Sequence, residues 1–192
     1  MAALIASACT TSGAKRPVAI EVHDGSGFTI TEAARVSAEV RADFESAMRL
    51  LQQKQYEGGI ALLLRVVEAA PHATTPHIDL AIAYGQVGDL QQAEASIKRA
   101  LELNPRHPVA HNELGIIYRK TGRFEEARES YKKALALYPG FHFARRNLAI
   151  LCDVYLADAS CALEHYELYT QVAPNDEAAA MWIADLRNRV ER

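Results

Sequence analysis

The sequence predicts an all-α protein, a solenoid of four stacked helix-turn-helix repeats closed by a C-terminal helix. Three observations predict it. Residues recur at a spacing of 34: Pro71, Pro105 and Pro139; Tyr84 and Tyr118; Gly88 and Gly122; Ala93 and Ala127; Ala100 and Ala134; Leu103 and Leu137. Such a period marks a stacked array in which each unit buries its apolar face on its neighbours. Within each unit the apolar residues stand at helical spacing, as in His77, Leu80, Ala81 and Tyr84. Gly and Pro punctuate the units where one helix ends and the next begins.

The organisation divides as 1–36, 37–174 and 175–192. Met1 to Ala8 is small and apolar, and Cys9 follows at once. This stretch resembles the end of a bacterial lipoprotein signal peptide. The resemblance implies lipidation at Cys9 and residence on the periplasmic side of a membrane. Thr10 is not the aspartate linked to inner-membrane retention, which favours the outer membrane. The alternative is an apolar N-terminus on a cytoplasmic protein. Thr10 to Pro17 is polar and reads as a linker. Val18 to Val22 and Phe28 to Thr31 alternate apolar and polar residues about the turn cluster His23-Asp24-Gly25-Ser26-Gly27, a short hairpin signal. Helix is expected to begin between Thr31 and Ser37, where Thr and Ser can cap it.

Four repeats follow. The first, about Val40 to Pro71, is degenerate: Gly59 stands where later repeats carry Ala93 and Ala127, and Ala47 where the third carries Gly115. The second, about Thr74 to His107, keeps Leu80, Ala81, Tyr84, Gly88, Ala93, Ile97, Ala100 and Pro105. The third, Pro108 to Phe141, is the best copy, with Leu114-Gly115, Tyr118, Gly122, Phe124, Ala127, Tyr131, Ala134, Leu137 and Pro139. With these residues the chain resembles the tetratricopeptide repeat (TPR) family. That resemblance implies an α-solenoid that binds other proteins without catalysing a reaction. The fourth repeat, His142 to Pro174, keeps Leu148, Ala149, Ala162, Tyr166, Tyr169 and Val172 but needs 35 residues from Pro139 to Pro174. Placing the extra residue in the Leu156 to Ser160 turn restores the register. Trp182, Ile183 and Leu186 then give the last helix an inward stripe, as the open end of a solenoid requires.

Composition narrows the function. Of 192 residues 49% are hydrophobic and 23% charged, and the formal net charge is −3, so no strong field draws nucleic acid. No run reaches the 18 or so apolar residues of a membrane span, leaving a lipid at Cys9 as the means of membrane attachment. The seven histidines form no ligand constellation, so no metal or other cofactor is expected. The sequence carries no phosphate loop, nucleophile elbow or paired-carboxylate signature, and no catalytic residue is assigned. Cys152 and Cys161 stand symmetrically about the turn of the fourth pair and so tend to face one another. In an oxidising compartment they would bridge, and in a reducing one they would serve as small hydrophobes.

The candidate binding surface follows from helical geometry. Residues one position after each core stripe lie about 100° around the first helices. One row is Phe44, Ile78, Asn112 and Arg146; the next is Met48, Ile82, Ile116 and Ile150. Arg119, Asn147, Glu45, Asp79 and Glu113 lie close by. First helices line the concave groove in the TPR family, which implies that these rows face a bound protein or peptide segment. The family's carboxylate clamp, Lys and Asn on successive first helices, is not reproduced. The Ile row either seals neighbouring helices or lines the groove. Asn112, Arg119, Arg146 and Asn147 are expected to offer donors to an acidic residue of the partner. By resemblance, the chain is an adaptor of an envelope assembly (pilus, secretion or TonB-type), or else a soluble cytoplasmic adaptor or co-chaperone.

Overall fold

A computed structural model describes residues 19–23, 27–31 and 36–191. Cys9 and the linker before residue 19 lie outside the described residues. Strands β1 (Ala19–His23) and β2 (Gly27–Thr31) pair antiparallel, with Ala19 opposite Thr31 and His23 opposite Gly27. Ser37 then caps α1 (Ala38–Gln52), its side chain accepting from the Val40 amide at 3.2 Å.

Four helical pairs follow. They are α1 with α2 (Tyr56–Ala69), α3 (Thr74–Val87) with α4 (Leu90–Leu103), α5 (Pro108–Lys120) with α6 (Phe124–Leu137), and α7 (His142–Ile150) with α8 (Ala159–Thr170). Helix α9 (Glu177–Val190) closes the stack. Within a pair the helices approach through small residues. A Cβ added at Gly115 would meet Tyr131 at 2.5 Å, which is why the smallest residue stands there. Ala47, Ala81, Ala93, Ala127 and Ala162 are all buried at similar contacts.

Each first helix ends in the same backbone conformation. Gly88 and Gly122 adopt φ of 84° and 78°, left-handed values that cost glycine nothing. Lys54 and Ala157, with φ of 61° and 51°, occupy the corresponding places in the first and fourth repeats. This correspondence corrects the placement of the extra residue. Ala157 lies 35 residues after Gly122, so the insertion precedes it. The chain absorbs it in a π-helical turn, Leu151–Tyr155, whose capping bond runs from the Leu156 amide to Leu151 O at 3.1 Å. A turn of this kind holds one more residue than an α-turn without breaking the helix.

The core is divided into clusters that straddle neighbouring repeats, with half-buried Tyr84 and Tyr118 packed between successive ones. Leu80 of α3 joins Ala47 and Leu63 of the first pair. Ile78 and Ala81 of α3 pack with Ile97, Leu114 and Ile117. The C-terminal cluster joins Tyr131, Leu148, Leu151 and Tyr166 to Ile183 and Leu186 of α9. Asp176 fixes α9 in place. It caps the helix by accepting from the Ala179 amide at 3.0 Å, and it accepts from the Tyr169 hydroxyl at 2.8 Å. These bonds, the helix amide first, hold its carboxyl below the usual range.

Candidate peptide-binding face

The first helices form the inner layer. Helix α3 packs directly on α5, whereas α4 and α6 share no comparably extensive contact, so in the middle of the stack the first helices approach one another more closely than the second. Hydrogen bonds fasten these inner helices to one another. Lys120 donates through Nζ to Gly85 O at 3.0 Å, joining α5 to α3. Asn147 donates through Nδ2 to Asn112 Oδ1 at 3.0 Å, joining α7 to α5, and Asn112 Nδ2 donates to Glu113 Oε1 at 3.0 Å.

Met48, Ile82, Ile116 and Ile150 are each half-buried. Every one packs on the core beneath it and keeps part of its surface free. Phe44 is likewise half-buried against the first pair. Two members of the neighbouring row depart from expectation. Ile78 is 4% exposed and Asn112 only 3%, so neither is a free lining residue. The reason is the close approach of adjacent first helices: Ile78 is enclosed with residues of α5, and Asn112 is held between Asn147 and Glu113. Sequence spacing gives the face of a helix but not how near the next helix comes.

The expected donors are also committed within the chain. Arg119 Nη1 donates to the Tyr155 hydroxyl at 3.4 Å, and the guanidinium lies 5.7 Å from the Tyr155 ring centre. Tyr155, at the end of the π-helical turn, also packs against Phe124 in a tilted arrangement, with ring centres 4.8 Å apart. Arg146 lies over Trp182 at 5.7 Å and approaches Asp176 at 3.9 Å. The picture of four donors waiting for an acidic partner is therefore corrected: Asn147 donates to Asn112, Asn112 donates to Glu113, and both arginines face groups of this chain.

The carboxylates of the same face are placed otherwise. Glu45, Asp79 and Glu113 stand one per repeat at a spacing of 34, and Asn147 takes the place in the fourth. Glu45 is exposed; Asp79 and Glu113 are partly buried. Asp79 Oδ2 is out of contact with solvent and has no hydrogen-bond partner among the described residues. Burial pushes its pKa up to about 7. Burial also raises the Glu113 carboxyl, against the lowering effect of the Asn112 amide and of Lys120. Acidity at these positions was visible in the sequence; that no cation stands beside Asp79 among the described residues was not.

Cys152 and Cys161 are joined by a disulfide, with an S–S distance of 2.03 Å and Cα atoms 5.9 Å apart. It ties the π-helical turn to α8. Among the described residues no group of three or more His, Cys, Asp or Glu could hold a metal ion, and no helix is long and apolar enough to cross a membrane. His111 Nε2 lies 2.9 Å from Pro105 O, and His107 caps α5 by accepting from the Ala110 amide at 3.3 Å.

The comparisons agree with this architecture. Residues 78–140 match the family model described as tetratricopeptide repeat. PilF of Pseudomonas aeruginosa shares the fold with a TM-score of 0.72 and 22% identity, over 79% of this chain and 69% of its own. MamA of Desulfovibrio magneticus RS-1 has a TM-score of 0.71 and 17% identity, over 82% and 88%. The first TPR of Spaghetti (RPAP3), in complex with the HSP90 peptide SRMEEVD, has a TM-score of 0.59 and 23% identity, over 64% and 97%. At these identities the likeness is one of fold. No curated protein is a significant match in sequence.

Proposed function

We propose that this tetratricopeptide-repeat protein is a non-catalytic adaptor that holds a segment of a partner protein against its first helices. One observation carries the reading. Met48, Ile82, Ile116 and Ile150 repeat on the inner layer and keep apolar surface free after the core is built. A regular apolar strip on a hydrogen-bonded scaffold suits an extended or helical segment. The RPAP3 structure is of a TPR unit with a peptide bound, which supports the same use of the fold here.

The test is photocrosslinking from the full chain in its native host. A crosslinker at position 82 or 116 is expected to trap one defined partner, and one at exposed Glu68 on α2 is not. The Ile82→Asp, Ile116→Asp double variant should lose that partner from co-purification while staying folded by circular dichroism. Equal trapping from all positions would overturn the reading.

We further propose an envelope setting: acylation at Cys9, the periplasmic side of a bacterial membrane, the outer one in preference, and service to a pilus, secretion or TonB-type assembly. The apolar run ending at Cys9 supports this, as does the facing pair Cys152 and Cys161, since disulfides persist in oxidising compartments. Acyl chains would anchor the protein firmly, at roughly 0.8 kcal/mol per buried CH₂. Membrane fractionation of the natural product beside Cys9→Ser tests it. An unmodified Cys9 with free thiols at 152 and 161 would favour the alternative, a cytoplasmic adaptor or co-chaperone.

A further inference from the structure

We propose that the segment this face holds is basic. Its apolar side chains lie on the Ile82, Ile116 and Ile150 row, and its lysine or arginine side chains meet Asp79 and Glu113. The inference rests on the adaptor reading and adds the sign of the partner's charge.

The inner face leaves carboxylates uncompensated. A carboxylate removed from water is costly unless a cation or hydrogen bonds replace the solvent. Elsewhere the chain obeys that rule. Asp43 pairs with Arg65 at 2.9 Å, Glu94 with Arg123 at 2.9 Å and Lys98 at 2.7 Å, and Asp153 with Arg189 at 2.7 Å. Asp79 does not: one of its oxygens is sealed from solvent with no donor beside it among the described residues. Among the described residues Glu113 accepts from the Asn112 amide, and the charge of Lys120 reaches it without a hydrogen bond.

Three cations of this layer are already engaged within the chain. Lys120 is bound to Gly85 O, Arg119 to Tyr155, and Arg146 lies between Trp182 and Asp176. The acidic positions also keep the 34-residue period of the isoleucines beside them. A ligand following the apolar row therefore passes one carboxylate per repeat through the first three repeats. An ammonium or guanidinium brought to the side of the Asp79 carboxyl that is not sealed would place a counter-charge beside it and favour its ionised form. An acidic segment would add like charge where none is relieved.

The experiment measures fluorescence anisotropy with the full chain and three labelled amphipathic peptides of equal length. One combines leucine with lysine, one leucine with glutamate and one leucine with glutamine. The lysine peptide is expected to bind at least about tenfold more tightly than the glutamine peptide, and the glutamate peptide most weakly. Raising salt should erase much of the difference. The Asp79→Asn, Glu113→Gln double variant should bring the lysine peptide to the level of the glutamine one. Glu57→Gln with Glu68→Gln, which removes the same charge from exposed positions of α2, should leave it unchanged; an equal loss there would mean attraction to net charge alone and would overturn the proposal. Glutamine and glutamate peptides binding as well as the lysine peptide would leave the apolar adaptor face standing and remove its basic selectivity. Failure of all three peptides would also remove it, and crosslinking from positions 82 and 116 would decide separately whether the face is used.

Discussion

At the scale of single residues, four positions share one demand with unequal means. The backbone that ends each first helix is left-handed in all four repeats, at Lys54, Gly88, Gly122 and Ala157. A side chain with a Cβ is strained there by about 1 kcal/mol or more. Ala157→Gly is therefore expected to stabilise the fold by about 0.5–1 kcal/mol, net of the added entropy of the unfolded chain. Chemical denaturation under oxidising conditions checks it, and a loss of stability would show that the Ala157 methyl makes a contact worth more than the strain. Asp79 gives a second prediction, with the sign fixed by linkage. Burial raises its pKa to about 7, while an unfolded aspartate titrates near 4. Between those values the folded state keeps a proton that the unfolded state has lost. This group's contribution is thus most favourable below pH about 4, declines as pH rises to about 7, and is level beyond. The span is on the order of 2–4 kcal/mol. Asp79→Asn should flatten that decline and be more stable than the parent at neutral pH; an unchanged pH profile would show that the carboxylate is ionised in the fold.

At the scale of elements, the fourth repeat is the informative one. Its 35-residue length was legible in the sequence, and so was the facing of Cys152 and Cys161. The place of the extra residue was not. Between Ala149 and Ala162, which match Gly115 and Ala127, any position restores the count. Only hydrogen bonding decides, and the helix widens into a π-helical turn before the loop is reached. The candidate binding residues divide in the same way. Helical spacing found the half-exposed isoleucines, because the period of a helix is a local property. It did not find that Ile78 and Asn112 are enclosed, because the distance between α3, α5 and α7 is set by the whole stack. The disulfide from the π-helical turn to α8 closes a short loop, worth on the order of 2–3 kcal/mol in the chain-entropy account. Reduction, or Cys152→Ala with Cys161→Ala, should lower stability to guanidinium by that amount. The loss should be concentrated in amide exchange of α7, α8 and α9. Uniform protection with and without reductant would show that the bond constrains nothing the packing has not already fixed.

At the scale of the molecule, the stack has two ends and a core shared between neighbouring repeats. The tetratricopeptide architecture was legible from the 34-residue recurrence, since a repeat that cannot bury its own face must have neighbours. The last helix is that neighbour for the fourth repeat. It brings Ala179, Ile183 and Leu186 against Tyr166 and Tyr169, and Asp176 pins its first turn. Ending the chain before Glu177 should uncover this apolar surface and produce self-association, visible as a mass above the monomer in light scattering at moderate concentration. A truncated chain that stays monomeric with the melting temperature of the parent would show that α9 is an appendage.

The π-helical turn carries a consequence beyond its own repeat. A periodic scaffold can measure only a ligand whose own spacing stays in phase with it. Through α1, α3 and α5 the inner face repeats its lattice, carboxylate and apolar side chain in fixed order. One additional residue in the fourth unit shifts every later position by a fraction of a turn, and it is in this shifted part that Tyr155 comes to cover Arg119. Ile150, placed just before the turn, keeps the apolar row in step, but Asn147 takes the acidic place in the fourth unit. On the adaptor reading a bound segment would therefore find carboxylates along three units and an uncharged, apolar hold on the fourth.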